Sequence, residues 1–129
     1  MPPIRLSEFR QFGTTTMTLD ELRILHCTPL KGPQHALPPA QVDEMLALLP
    51  GWKLAPDRSD LRKDYSFKDF STALAFVNAL GWIAERENHH PDLELGWGRC
   101  RVRFSTHDVG GISRNDFICA ARTEALLGS

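Results

Sequence analysis

The run Glu85-Arg86-Glu87-Asn88-His89-His90-Pro91-Asp92 sets two adjacent imidazoles among carboxylates, and a third imidazole, His107, follows on the next predicted strand but one. Three of the chain's five histidines therefore fall in one short region. Histidine changes charge nearer neutrality than any other side chain, so such a cluster suggests proton transfer or metal binding more than packing. Glu85 and His89 are four residues apart and share a face if the helix continues through them, which would let the carboxylate orient and tune the ring. The competing reading is a solvated helix end, where a histidine complements the helix dipole. The pair followed by helix-breaking Pro91 weakens that reading, because Pro91 disfavours helical geometry at His90 and ends the helix near Asn88 or His89.

Other residues are less specific. Ser113-Arg114-Asn115-Asp116 has the shape of a capping box with Asp in the place of the usual Glu, although a capping carboxylate can still face a site. Trp52, Trp82 and Trp97 could stack on a planar ligand, with core packing the ordinary role of each. Arg101 and Arg103 could bind an anion or form a solvated strand face. Glu85, His89, His90 and His107 could supply ligands to zinc or iron, but HExxH is absent and adjacent histidines usually diverge. No P-loop and no GxGxxG motif occurs.

A length of 129 residues suits one domain, and 42% apolar residues can build a core. A net charge of −1 offers no strong attraction to nucleic acid or an anionic membrane. No apolar run approaches the roughly 18–20 residues that span a bilayer. Cys27, Cys100 and Cys119 are odd in number and irregular in spacing. That argues against a disulfide framework and for a reducing compartment, taken here as the cytoplasm. The first 16 residues lack a secretory hydrophobic core and are short for a transit peptide. A disordered tail or sequence upstream of the true start fits them better.

The positioning elements follow from periodicity and punctuation. Residues 28–39 contain four prolines and Gly32 and read as a loop. Residues 1–36 are thus expected as an extension, loop or partly disordered, before a domain over 37–129. Pro38-Pro39 opens a helix over Gln41–Leu49, with Val42, Met45, Leu46 and Leu49 as its buried stripe. Trp52–Leu54 and a segment with Leu61, Tyr65 and Phe67 on one face, interrupted by Lys63, form a hairpin. Phe70–Glu87 is the clearest helix. Leu93, Leu95 and Trp97 alternate as a third strand, and Cys100, Val102, Phe104 and Thr106 as a fourth. A final helix runs from about Arg114 to Leu127, with Ser113 as its N-cap. This α-β-β-α-β-β-α order predicts a two-layer α+β domain, a four-stranded antiparallel sheet with helices on one face.

The pattern Glu85-x3-His89-His90-Pro91, with Trp97, His107 and Asp116 at fixed spacing, resembles the signature of the pterin-4a-carbinolamine dehydratases. Flanking segments agree: Leu48–Leu54, Phe67–Phe70, Thr106–Ser113 and, from bacterial members, Cys27–Gly32. The resemblance spans roughly Leu37 to Leu127. The stretch Leu93–Gly96 departs from the aromatic-rich segment often found there.

The resemblance implies a homodimer or homotetramer and no metal or cofactor, with a small-molecule pterin as substrate. The implied reaction is dehydration of 4a-hydroxytetrahydropterin to quinonoid dihydropterin, which recycles the cofactor of aromatic amino acid hydroxylases. It also implies catalytic His89, His90 and His107, with His89 and His107 in acid/base roles and His90 mainly holding the pterin. Glu85 and Asp116 would support them, and Trp97 and Trp52 would border the ring. No direct nucleic-acid or membrane partner is implied. The alternative within the same fold is a non-catalytic dimerisation or assembly cofactor, or a transcriptional coactivator.

Overall fold

In the computed structural model, which describes residues 17–127, the longest element is the helix Phe70–Glu87. Asp69 caps it by accepting bonds from the Thr72 backbone at 2.8 Å and the Thr72 hydroxyl at 2.7 Å. These bonds hold the Asp69 carboxyl below its ordinary pKa. The helix ends at Asn88, which adopts left-handed geometry (φ 50°, ψ 42°). Its successor, His89, returns a backbone bond to Ala84 O at 3.1 Å, closing the last turn. In chain order the elements are α1 (Leu19–Arg23), α2 (Pro39–Leu46), β1 (Lys53–Leu54), β2 (Leu61–Ser66), α3 (Phe70–Glu87), β3 (Asp92–Gly96), β4 (Arg99–Phe104) and α4 (Arg114–Ala125). Two short 3-10 turns, Pro33–His35 and His107–Val109, complete them.

The sheet is antiparallel throughout, in the order β1-β2-β4-β3. Its register sorts the side chains. Leu61 pairs with Phe104, Lys63 with Val102 and Tyr65 with Cys100, forming the inner columns. All of these except Lys63 are buried. The intervening pairs Arg62–Arg103 and Asp64–Arg101 face the other way, and Arg101 Nε lies 2.7 Å from Asp64 Oδ1. Lys63 keeps its inward parity because its ammonium reaches Glu124 at the end of α4 and Pro50 O. The inner face is covered by Phe76 and Leu80 of α3 and by Phe117, Ile118 and Ala121 of α4. This is the expected α+β layering.

Some boundaries differ from the sequence reading. α2 ends at Leu46, although Leu49 is still fully buried in the turn that follows. Trp97 is not a strand residue: it occupies, with Gly98, the two-residue turn that joins the paired Gly96 and Arg99. Gly98 has φ +70°, and a Cβ there would stand 3.0 Å from Phe67 O.

The larger difference is at the N-terminal side. Residues 1–16 lie outside the described residues. From Met17 the segment is not a free loop but a strap folded onto the domain. Thr18 caps α1, whose Leu22 is fully buried in the common core. Arg122 donates two bonds to Leu25 O, at 3.1 and 2.7 Å. Glu87, its side chain 5% exposed, accepts from the Cys27 backbone at 2.8 Å and meets His26 Nδ1 at 3.0 Å. Asn115 grips Thr28 at two points, donating to its carbonyl at 2.7 Å and accepting from its N–H at 3.2 Å. Gly32 N–H donates to Asp108 O at 2.8 Å, and Leu37 N–H to Ile112 O at 2.9 Å. Short-range propensity could not reveal bonds to partners that lie 60 to 97 residues away in sequence.

Burial raises the Glu87 pKa, but the Cys27 N–H, His26 and Arg122 more than offset it, leaving the carboxyl below its ordinary value of 4.5. A depressed carboxylate stabilises the fold above its unfolded pKa, and that contribution is lost as pH falls through the lower folded value. Acidification below about pH 4.5 is therefore expected to reduce hydrogen-exchange protection at the Cys27 amide before that of the β2–β4 ladder. At neutral pH, Glu87→Ala should reduce the same protection about tenfold or more, given the strength of hydrogen bonds to charged groups. Equal protection in wild type and variant would show that Glu87 does not hold the strap. In the core, Leu80→Ala should cost about 2–5 kcal/mol, read from the denaturation midpoint.

Candidate functional site

The left-handed Asn88 turns the chain out of α3, so His89 does not continue the helical face that carries Glu85. Its ring instead reaches α4, with Nε2 2.6 Å from Asp116 Oδ1. Glu85 therefore does not orient His89, contrary to the i,i+4 expectation, which assumed one more residue of helix. Glu85 stands 3.6 Å from the neighbouring His90 Nε2, and both of those side chains are more than half exposed. That is a surface pair of little energetic weight.

Asp116 is fully buried and multiply bonded. Its Oδ2 accepts from the Thr106 hydroxyl at 2.8 Å and from the Ser113 N–H at 2.9 Å. The Thr106 and Ser113 hydroxyls meet at 2.7 Å. The capping box foreseen in the sequence is present, and the same carboxylate that closes it uses its other oxygen on His89. An ionised Asp116 accepts from Nε2 of His89, and in a neutral ring that tautomer leaves a lone pair on Nδ1. The ring is positioned on a second side by Phe104, stacked at 6.0 Å and 11°.

His89 lines a cleft of about 420 Å³, within the range of small-molecule sites. Thr106 and Asp108 line it as well, bracketing His107, which is exposed at the start of the 3-10 turn that leaves β4. His90 follows His89 in the chain but, like His107, is not itself among the residues lining the cleft. The structure thus brings His89 and Asp116 into contact, whereas His90 and His107 are only chain neighbours of residues that line the cleft.

The two tryptophans separate. Trp52 is 5% exposed, stacks on Phe104 at 6.1 Å and donates through Nε1 to Glu124 at 2.9 Å. It is a core residue with no face free for a ligand, which corrects its expected place beside the pterin ring. Trp97 is 72% exposed on the β3–β4 turn and does not line the cleft. Among the described residues, no three His, Cys, Asp or Glu side chains stand where they could share a metal ion.

The sequence reading missed most of the opposite wall. Thr28, Pro29, Leu30 and Lys31 of the strap line the cleft, as does Asn115. Their signal was faint: the Cys27–Gly32 segment carried part of the resemblance, and Asn115 adjoins Asp116, but neither indicated that the two regions meet.

Comparison with known proteins identifies the family of the chain. A protein from Stenotrophomonas maltophilia strain K279a named "Putative pterin-4-alpha-carbinolamine dehydratase" is 55% identical over 100 residues, covering 78% of this chain and 86% of that protein. One of the same name from Xanthomonas oryzae pv. oryzae strain PXO99A is 54% identical over 101 residues, with the same coverage. Among solved structures, a transcriptional coactivator/pterin dehydratase from Brucella melitensis aligns with a TM-score of 0.70 at 31% identity, covering 72% of this chain and 99% of that one. A pterin dehydratase-like protein described as a RuBisCO assembly factor in the alpha-carboxysome aligns at 0.53 and 25% identity, covering 61% and 92%. The family model for pterin 4 alpha carbinolamine dehydratase matches residues 35–126, and the chain belongs to that family.

Proposed function

We propose that this protein is a 4a-hydroxytetrahydropterin dehydratase that releases water to give the quinonoid dihydropterin, without a metal or cofactor, in recycling of a pterin cofactor. The observation that carries the reading is the His89–Asp116 pair at 2.6 Å, set at a cleft with His90 and His107 close by in the chain. Dehydration breaks the bond from C4a to the hydroxyl oxygen and removes a proton from a ring nitrogen, whose electron pair forms the new double bond. One group must accept that proton and another must protonate the departing hydroxyl. A buried carboxylate on Nε2 stabilises the imidazolium that proton acceptance leaves behind, as in hydrolase triads. That suits His89 as the base, working through Nδ1. His107 then serves as the acid, and His90 holds the pterin. The protein is read as a cytoplasmic homo-oligomer serving an aromatic amino acid hydroxylase.

A second reading is a partner-binding role, favoured by the descriptions of the two solved relatives, one a coactivator and the other an assembly factor. It predicts a stable partner whose capture survives loss of the histidines.

The purified protein should accelerate decay of the 4a-carbinolamine. His89→Ala and His107→Ala should each lower the rate about 10²–10⁴-fold, with far-ultraviolet circular dichroism unchanged. Full activity in the double variant would overturn the assignment. Asp116→Asn should lower kcat more than it raises KM, since it removes the charge that stabilises the protonated ring. An unaltered kcat in a folded Asp116→Asn protein would limit Asp116 to capping.

A further inference from the structure

Cys27 and Cys119 lie 92 residues apart in sequence, yet their sulfurs approach to 3.4 Å. Neither has a part in the proposed dehydration. Cys27 belongs to the strap, is half-buried and lines the cleft, so a small solute in the cleft can reach it. Cys119 sits inside α4 and is 1% exposed. Its thiol is pushed above its ordinary pKa by the Cys27 sulfur and by burial. Backbone bonds hold the pair in place from both sides. The Cys27 N–H is fixed on Glu87 at 2.8 Å, and the Thr28 carbonyl is fixed by Asn115, one turn before Cys119, at 2.7 Å. A bonded pair of sulfurs is about 2.05 Å apart, so closure needs an approach of roughly 1.3 Å, within reach of side-chain rotation and a small strap shift. The third thiol, Cys100, is buried on β4, where its sulfur faces the Arg101 carbonyl.

We propose that Cys27 and Cys119 form a peroxide-oxidisable thiol pair, with Cys27 the site of attack and Cys119 the resolving thiol, whose disulfide staples the cleft wall to α4. Cys27 sulfur attacks one oxygen of hydrogen peroxide. The O–O bond breaks, Cys27 becomes a sulfenic acid, and the expelled hydroxide leaves as water with the thiol proton. Cys119 sulfur then attacks Cys27 sulfur, the S–O bond breaks, and the hydroxyl departs as water with the Cys119 proton. Two thiols and one peroxide thus yield one disulfide and two waters. The Cys119 proton never needs to be released to solvent, which suits a thiol held protonated in the core. A dithiol reductant reverses the bond, as a reducing compartment would. The proposal stands apart from the pterin chemistry, because its product is read by mass rather than turnover.

The full-length protein is exposed to hydrogen peroxide, denatured in the presence of an alkylating agent, digested and mapped by mass spectrometry. The expected product is a Cys27–Cys119 cross-linked peptide pair with Cys100 alkylated, restored to three free thiols by dithiothreitol. The oxidised protein should also melt at a higher temperature, since the bond closes a long loop. Cys119→Ser should stop at a Cys27 sulfenic acid that dimedone traps. A wild-type protein whose Cys27 forms the dimedone adduct while Cys119 remains alkylatable would overturn the proposal. So would oxidation that leaves Cys27 reduced. The wild-type map decides the matter even if the serine variant does not fold.

Discussion

The fully buried carboxylate of Asp116 is the constraint on which the site and much of the fold depend. An unpaired charge in that position would be prohibitively costly, so its bonding partners must be assembled for the native state to form. Those partners come from different parts of the chain: Ser113 at the N-cap of α4, Thr106 just beyond β4 and His89 after α3. One side chain therefore fixes the start of a helix, the exit of a strand and the orientation of an imidazole. The dual role follows from the two oxygens of a carboxylate. Oδ2 serves the backbone and a hydroxyl, and Oδ1 is left for the ring. A neutral amide could preserve some of this geometry, but not the negative charge.

The remaining architecture presents that carboxylate to solvent through one ring. Phe104 backs His89, while the same phenylalanine is packed by Trp52 on the core side. The strap then raises a second wall opposite the histidine. It is held by the charged groups Glu87 and Arg122 and by the amide of Asn115, with the apolar anchor Leu22 in the core.

Local periodicity made the layering legible. Alternation set the inner columns of β2 and β4, and helical spacing marked α3, although its Phe70 and Leu74 are exposed. Lys63 looked like a defect in its strand, but the long stem lets the charge leave the core at Glu124. The Ser113–Asp116 box could be read because both partners lie within one helical turn. The Glu85–His89 pairing failed for a different reason. A spacing rule presumes continued helix, and a left-handed residue at Asn88 intervened one position earlier than Pro91 required. Trp52 and the strap were misjudged because their environment is set by distant residues. Indole and proline-rich sequence alike are compatible with either surface or interior, and only the partner decides.

The strap also affects the order in which the protein can be built. Its Thr28 backbone and Cys27 thiol are held by Asn115 and Cys119, 87 to 92 residues later in the chain. During synthesis from the N-terminus, at about 5–20 residues per second, the first-made wall of the cleft must wait on the order of ten seconds for the helix that receives it. Until then Leu22 and Cys27 have no α4 to dock against. The cleft is thus completed only when the strap and α4 meet, and a nascent chain stalled before α4 would carry the histidine pair without the enclosure that makes it a site.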